Sequence, residues 1–211
     1  MAEHIVYLET PMSFFKTATE SLPKCELRDS PGKGKGVFML EPVKKDRYVT
    51  VYPSHVVFRC CVDLNEDVNG TMQEFEMIGH MPGVEITDEK FAKYSLGAKY
   101  KNLLIMGDPS YCRPHALGHM INDKARSKSV KDEGIYTNIS TRGQNVTPET
   151  LFIEEDKTLP VIFMKATRDI EANEELFYSY GLNYWRPKRT FPDIPDIPKK
   201  TISKMNFQNI L

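Results

Sequence analysis

The stretch Ile170-Glu171-Ala172-Asn173-Glu174-Glu175-Leu176-Phe177-Tyr178-Ser179-Tyr180-Gly181-Leu182-Asn183-Tyr184-Trp185 decides the reading of this chain. Tyr178 and Tyr180 stand two apart, so in an extended segment both side chains leave the same face. Gly181 follows at once, and the single Trp of the chain closes the stretch. Taken alone, it also reads as an aromatic core strand. Two segments upstream give it a sharper meaning.

The first is Ser30-Pro31-Gly32-Lys33-Gly34-Lys35-Gly36-Val37-Phe38. Glycines at alternate positions let the backbone approach a ligand closely and take positive φ. The GxxxxGK[ST] spacing of a phosphate loop is missing, and strand-like residues follow instead of a long helix, so a dinucleotide fingerprint is not convincing either. Alone, the segment is equally a tight turn between strands. The second is Leu117-Gly118-His119-Met120-Ile121-Asn122-Asp123. The Asn122 amide can donate and accept, and so could read a base edge or a carboxylate, or simply cap a turn. His115 and His119 are four apart, which on a helix suits a metal. No third ligand is obvious and Gly118 weakens the helix, so no metal is expected.

Working outward, the 211 residues are 40% hydrophobic and 27% charged, with 1 Trp, 10 Tyr and 11 Phe to supply a core. That excludes a chain disordered throughout. The 28 basic and 29 acidic residues leave a net charge of −1, which argues against bulk nucleic-acid binding and direct nucleic-acid readout. No apolar run is long enough for a membrane span. The opening MAEHIVYLETPM has no basic region and no long apolar run, so no signal peptide is expected. Cys25, Cys60, Cys61 and Cys112 show neither CxxC nor CxC spacing, which argues against a zinc site and a disulfide framework. The expectation is an intracellular protein, nuclear or cytoplasmic, with reduced thiols.

Short strand-like segments separated by Gly and Pro point to a mainly β fold of small sheets with few short helices. Strands are expected at Cys25–Arg28, Val37–Leu40, Tyr48–Tyr52, His55–Cys60, Leu103–Met106, Gly134–Ser140, Leu159–Ala166 and Leu176–Tyr178, with a turn over Asp29–Gly36. A helix is expected at Thr87–Tyr94, opened by a capping pattern, and a helical turn at His115–Ile121. From Cys60 to Glu89 there are eight acidic residues and no Lys or Arg, which would attract a basic partner unless the stretch is merely solvated. From Arg186 onward six basic residues face two acidic ones, and Pro195 and Pro198 prevent a regular helix.

Together and in this order, the three segments resemble those of SET-domain protein lysine methyltransferases, from about Cys25 to Trp185. The glycine segment is similar to the family's opening GxG turn, and Asn122 to the Asn of its Asn-His motif. The last segment is similar to its closing GEEL-x-x-x-YG motif, with Asn173 where Gly is usual and Tyr180-Gly181 intact. The ending resembles the small viral-type SET proteins, which lack a cysteine-rich post-SET zinc segment. Asp123 departs from the family's His, and Lys124-Ala125-Arg126-Ser127-Lys128 replaces its Ser-Cys-x-Pro-Asn continuation. Asn138 is taken to stand in for that later Asn, displaced by an insertion, and Thr141–Lys157 is read as a further insertion in a hairpin.

The resemblance implies a SET fold, several small β-sheets with the closing motif threaded under a loop as a C-terminal pseudoknot, which is a rare arrangement. It implies a SET domain at 25–185 with a variable insert at about 60–106, an N-terminal extension at 1–24 and a basic tail at 186–211. The implied cofactor is S-adenosylmethionine and the implied substrate a lysine of a basic protein, above all a histone tail. Tyr180 would be catalytic and would also touch the cofactor; Tyr178 and Tyr52 would meet the substrate lysine. Gly34, Lys35, Gly36, Asn122, Asp123 and Trp185 would hold the cofactor. A SET-fold binding module that has lost turnover is the alternative, prompted by Asp123 and the missing closing segment.

Overall fold

The computed structural model describes residues 9–10, 18–60, 75–98, 103–125, 132–153 and 160–185. β2 (Cys25–Ser30) and β3 (Gly34–Met39) form an antiparallel hairpin. Its turn is Pro31-Gly32-Lys33, closed by the Lys33 N–H donating to the Ser30 carbonyl at 3.0 Å, with Gly32 at φ 72°. Proline presets the first turn position and glycine supplies the positive φ of the next. Gly34 and Gly36 therefore open a strand, whereas the sequence suggested a turn running through Gly36.

A four-stranded sheet has the order β1-β9-β10-β4, built from Glu9–Thr10, Val146–Ile153, Pro160–Ala166 and Tyr48–Tyr52. β1 runs parallel to β9, and the other pairs are antiparallel. A second four-stranded sheet, β6-β5-β8-β7, uses Phe75–His80, Val56–Cys60, Leu103–Met106 and Ser95–Ala98. The helix α1 (Asp88–Tyr94) starts where its capping pattern places it, with the Lys90 N–H donating to Thr87 Oγ1 at 3.2 Å. Its Phe91 ring meets Phe58 of β5 edge-on at 5.1 Å, which pins α1 to this sheet. The expected insert at about 60–106 thus supplies most of a sheet.

β4 is buried on both faces. Val49 and Tyr52 join the main core with Val37, Met39, Ile121 and Met164, while Val51 joins Phe163 and Leu151 on the other side. The buried Thr50 hydroxyl inside this apolar strand is satisfied twice, donating to the His115 carbonyl at 3.0 Å and accepting from the Leu117 N–H at 2.9 Å. Those bonds fasten β4 to the segment leading into the 3-10 turn Gly118–Met120.

The expected strand at Gly134–Ser140 is instead the helix α2 (Glu133–Gly143), capped by Asp132, whose side chain accepts from the Ile135 N–H. Its β-branched isoleucines suggested a strand, yet they face outward: Ile135 is 51% and Ile139 37% exposed. Tyr136 and Ser140, one helical turn apart, turn inward to a buried carboxylate. That polar anchorage overrides the local composition. The stretch read as an insertion from Thr141 holds the end of α2 and all of β9; residues 154–157 lie outside the described set.

The closing segment is interleaved with three distant stretches, as a pseudoknot requires. The Leu176 N–H donates to the Val37 carbonyl at 2.7 Å, the Tyr178 N–H to the Asn122 carbonyl at 3.1 Å, and the Val146 N–H to the Phe177 carbonyl at 3.1 Å. The expected strand Leu176–Tyr178 appears only as isolated bridges, Phe38 with Glu175 and Asn122 with Phe177. Asn173 has φ 67°, the left-handed conformation for which glycine is usual and which Asn tolerates.

Candidate active site

The three motif segments meet at Gly36. A Cβ there would press on Glu175 Oε1 and Asn122 Nδ2, so a side chain at this position would push both out of their hydrogen bonds, and glycine leaves them in place. Glu175 accepts from Asn122 Nδ2 at 3.0 Å on one oxygen and from the Ser30 hydroxyl at 3.0 Å on the other. Asn122 Nδ2 also donates to the Lys35 carbonyl at 3.0 Å. Its amide thus ties the glycine strand to the closing motif.

Beside this junction lies a cleft of about 630 Å³. Gly34, Lys35, Asn122, Asp123, Tyr180 and Trp185 line it, together with Lys33, Met120, Tyr94 and Tyr184. Of the remaining expected site residues, Gly36 is buried at the junction, and Tyr52 and Tyr178 belong to the main core, 2% and 8% exposed. The Tyr52 hydroxyl donates to the Tyr94 carbonyl at 2.7 Å, and the Tyr178 ring lies 4.9 Å from that of Tyr180.

Tyr180 is held at both ends. Its N–H donates to Asp123 Oδ2 at 3.1 Å and its hydroxyl donates to the Ile121 carbonyl at 2.7 Å. Burial, reinforced by the Tyr178 and Tyr184 phenols, holds its pKa well above the ordinary phenol value. It is a neutral phenol whose proton is committed and whose oxygen can still accept. Trp185 stacks on it at 15° and 6.0 Å, and Tyr184 meets it edge-on at 4.5 Å.

Sequence reasoning missed several residues that build this site. Asn138, assigned as the displaced family Asn, is exposed on α2. Asn145, which is fully buried, is the one that meets the closing motif. Its Nδ2 donates to the Glu175 carbonyl at 2.8 Å, and its Oδ1 accepts from the Phe177 N–H at 2.8 Å. Its position directly before the apolar start of β9 was the available signal. Lys33 was also missed; its ammonium donates to the carbonyls of Asp123 at 2.6 Å and Ala125 at 2.8 Å. Of the acidic stretch, residues 61–74 lie outside the described set, while Glu89 pairs with Lys93 at 2.6 Å.

His119 lines the inner part of the cleft against His55, their rings 6.0 Å apart. Burial pushes His119 down to about 3 and His55 to about 4. His55 Nδ1 accepts from the Asp108 N–H at 2.7 Å, which requires the neutral ring. A histidine depressed in the fold contributes stability above its unfolded value near 6.5, and that contribution is lost as pH falls toward the folded value. The melting temperature is therefore expected to drop between pH 6.5 and 4. His55→Asn, which keeps an acceptor for the Asp108 N–H, should flatten that drop in a thermal-melt series; an equally steep drop in the variant would contradict the assignment. Among the described residues no group of His, Cys, Asp and Glu is placed to hold a metal, and no helix is long and apolar enough to cross a membrane.

The family model of the SET domain matches residues 34–181. The chain belongs to the SET-domain family. The match begins at the first glycine of β3 and ends at Gly181, so it takes in the glycine segment from Gly34, the whole of Leu117–Asp123 and the closing segment as far as Gly181. Comparison with curated proteins gives no significant match. Among solved structures, this SET protein is similar to CpSET8 from Cryptosporidium, at 20% identity and a TM-score of 0.46 over 84% of this chain and 69% of that one. A candidate histone methyltransferase from Plasmodium falciparum matches at 18% identity and a TM-score of 0.41, over 78% of this chain and 98% of that one. KRYPTONITE, in complex with mCHH DNA, an H3(1-15) peptide and SAH, matches at 18% identity and a TM-score of 0.45, over 79% of this chain and 25% of that one.

Proposed function

We propose that this SET protein is an S-adenosylmethionine-dependent protein-lysine N-methyltransferase acting on a basic protein such as a histone tail, with residues 25–185 as its catalytic unit. The observation that carries the reading is Tyr180. It is a neutral phenol in the wall of an aromatic cleft, and both its ends are fixed by hydrogen bonds to the Ile121–Asp123 segment.

The residues present fit the cofactor. The cleft volume of about 630 Å³ lies in the range of small-molecule sites. Gly34, at φ 80°, has nothing within 4 Å of where a Cβ would point, which leaves open backbone at the rim. When bound, S-adenosylmethionine supplies a methyl group already activated on a sulfonium, so no metal is needed. Gly34 and Lys35 would hold it through backbone groups, Asn122 and the Asp123 backbone at its polar ends, and Trp185 by stacking on its adenine.

Tyr180 would align the lysine amine through its accepting oxygen, while Tyr178 and Tyr52 behind it fix the ring and the wall that the lysine meets. Desolvation and a nearby positive charge both lower the lysine pKa from its reference near 10.4 and favour the neutral amine. Among the described residues lining the cleft, His119 is depressed to about 3 and is a poor proton acceptor near neutrality. The Asp123 carboxylate is already engaged by five donors. The amine proton is therefore assigned to water. The acidic stretch from Cys60 to Glu89 favours a basic substrate.

The test is incubation with methyl-labelled S-adenosylmethionine, mixed core histones and a cell lysate. Label on a protein lysine supports the reading. Cofactor binding by calorimetry without any transfer would leave only a SET-fold binding module.

A further inference from the structure

Asp123, one of the positions at which the sequence departs from the family pattern it resembles, is also the most heavily hydrogen-bonded carboxylate among the described residues of the site. Asp123 is 2% exposed. Its Oδ1 accepts from the Ala125 N–H at 2.9 Å and the Ser140 hydroxyl at 2.8 Å. Its Oδ2 accepts from the Tyr136 hydroxyl at 2.8 Å, the Tyr180 N–H at 3.1 Å and, at 3.4 Å, Trp185 Nε1. Two of these donors come from α2 and two from the closing segment, so one side chain couples them. A carboxylate accepts at both oxygens without donating, which suits donors arriving from every side. A neutral imidazole offers one acceptor and could not serve them together.

We infer that Asp123 is a positioning residue, and that Tyr136 and Ser140 of α2 act through it to set Tyr180 and Trp185 for the reaction. The inference rests on the methyltransferase reading for its kinetic part only. Hydrogen bonds to a charged group are the stronger kind, and a partner left unpaired in a buried site carries its full desolvation cost. The helix is thereby part of the active-site scaffold of this chain.

The experiment compares wild type, Asp123→Asn, Asp123→His, Tyr136→Phe and Ser140→Ala by two readouts. The first is fluorescence of Trp185, the single Trp of the chain, with its emission maximum and its quenching by acrylamide. The second is methyl transfer with S-adenosylmethionine and mixed core histones. Asp123→Asn places an NH₂ against donors and should shift the emission, raise the quenching and lower kcat about 10- to 100-fold. Tyr136→Phe removes only a hydroxyl; it should shift Trp185 in the same direction and lower kcat several-fold, with KM for the protein substrate little changed. Tyr136→Phe added to Asp123→Asn should cost little more than Asp123→Asn alone. Asp123→His, the family's own residue, should fail to restore wild-type behaviour.

If Asp123→Asn does not fold, Tyr136→Phe decides the matter, because Ser140 also bonds the Ser179 hydroxyl of the closing segment directly at 2.8 Å. Variants that melt earlier but keep wild-type Trp185 fluorescence and kcat would overturn the inference and leave Asp123 a packing residue. So would wild-type activity in Asp123→His. If the wild type transfers no methyl group, the methyltransferase reading fails, and the fluorescence arm still tests the coupling of α2 to Trp185.

Discussion

Tyr180→Phe is expected to lower methyl transfer by about 100-fold, the loss typical when one preorganised polar group leaves a reacting centre. The substitution keeps the ring, so the stack on Trp185 and the contact with Tyr178 survive. It removes the oxygen proposed to align the amine, and it leaves the Ile121 carbonyl without its 2.7 Å donor. That lost bond should cost about 1 kcal/mol of stability. Affinity for S-adenosylmethionine should change only a few-fold, because the Tyr180 ring and the other groups proposed to meet it are kept. Single-turnover kinetics and calorimetry separate the two effects. A variant with near wild-type turnover would move the catalytic role away from Tyr180. Equal losses of binding and turnover would make it a structural residue of the cleft.

The second large effect is expected at Asn145. Asn145→Ala strips partners from the buried Phe177 N–H and the Glu175 carbonyl, and frees the Glu174 carboxylate of its 3.2 Å contact. Each orphaned buried group costs about 1–3 kcal/mol, so the domain should lose about 3–5 kcal/mol in denaturant unfolding. The closing motif carries Tyr180, so activity should fall as well. Asn138→Ala, on the exposed side of α2, should stay within about 0.5 kcal/mol of wild type. A small loss at Asn145 together with a large one at Asn138 would restore the assignment made from sequence.

These two asparagines mark where the sequence became hard to read. The glycine strand, Asn122 and the closing motif are local patterns, and their residues are dictated within a few positions: a turn at Pro31-Gly32, close approach at Gly36, a left-handed Asn173. Such constraints leave a signature, so the β class, the SET resemblance and part of the cleft lining, Gly34, Lys35, Asn122, Asp123, Tyr180 and Trp185, were legible, whereas Lys33, Tyr94 and Tyr184 were not. The segment from Lys124 to Gln144 was not. Its helix is fixed by a carboxylate reached from Tyr136, 13 residues along the chain, and Ser140, 17 residues along. The outward Ile135 and Ile139 suggested a strand, and no local pattern shows which face meets Asp123. Asn145 was hidden for the same reason, since its partners lie about 30 residues further on. Tyr52 and Tyr178 show the converse. Their aromatic character was plain, but only the fold sets them in the core behind the cleft instead of on its surface.

The central claim is that this chain moves a methyl group from S-adenosylmethionine to a protein lysine at Tyr180. Its most direct test is mass spectrometry of mixed core histones and lysate proteins after incubation with isotopically labelled S-adenosylmethionine, with wild type and Tyr180→Phe run side by side. The account predicts labelled methyl groups on lysine side chains of basic proteins with the wild type and near-background labelling with the variant. Unlabelled proteins with a wild type that binds the cofactor, or equal labelling by both proteins, would contradict it.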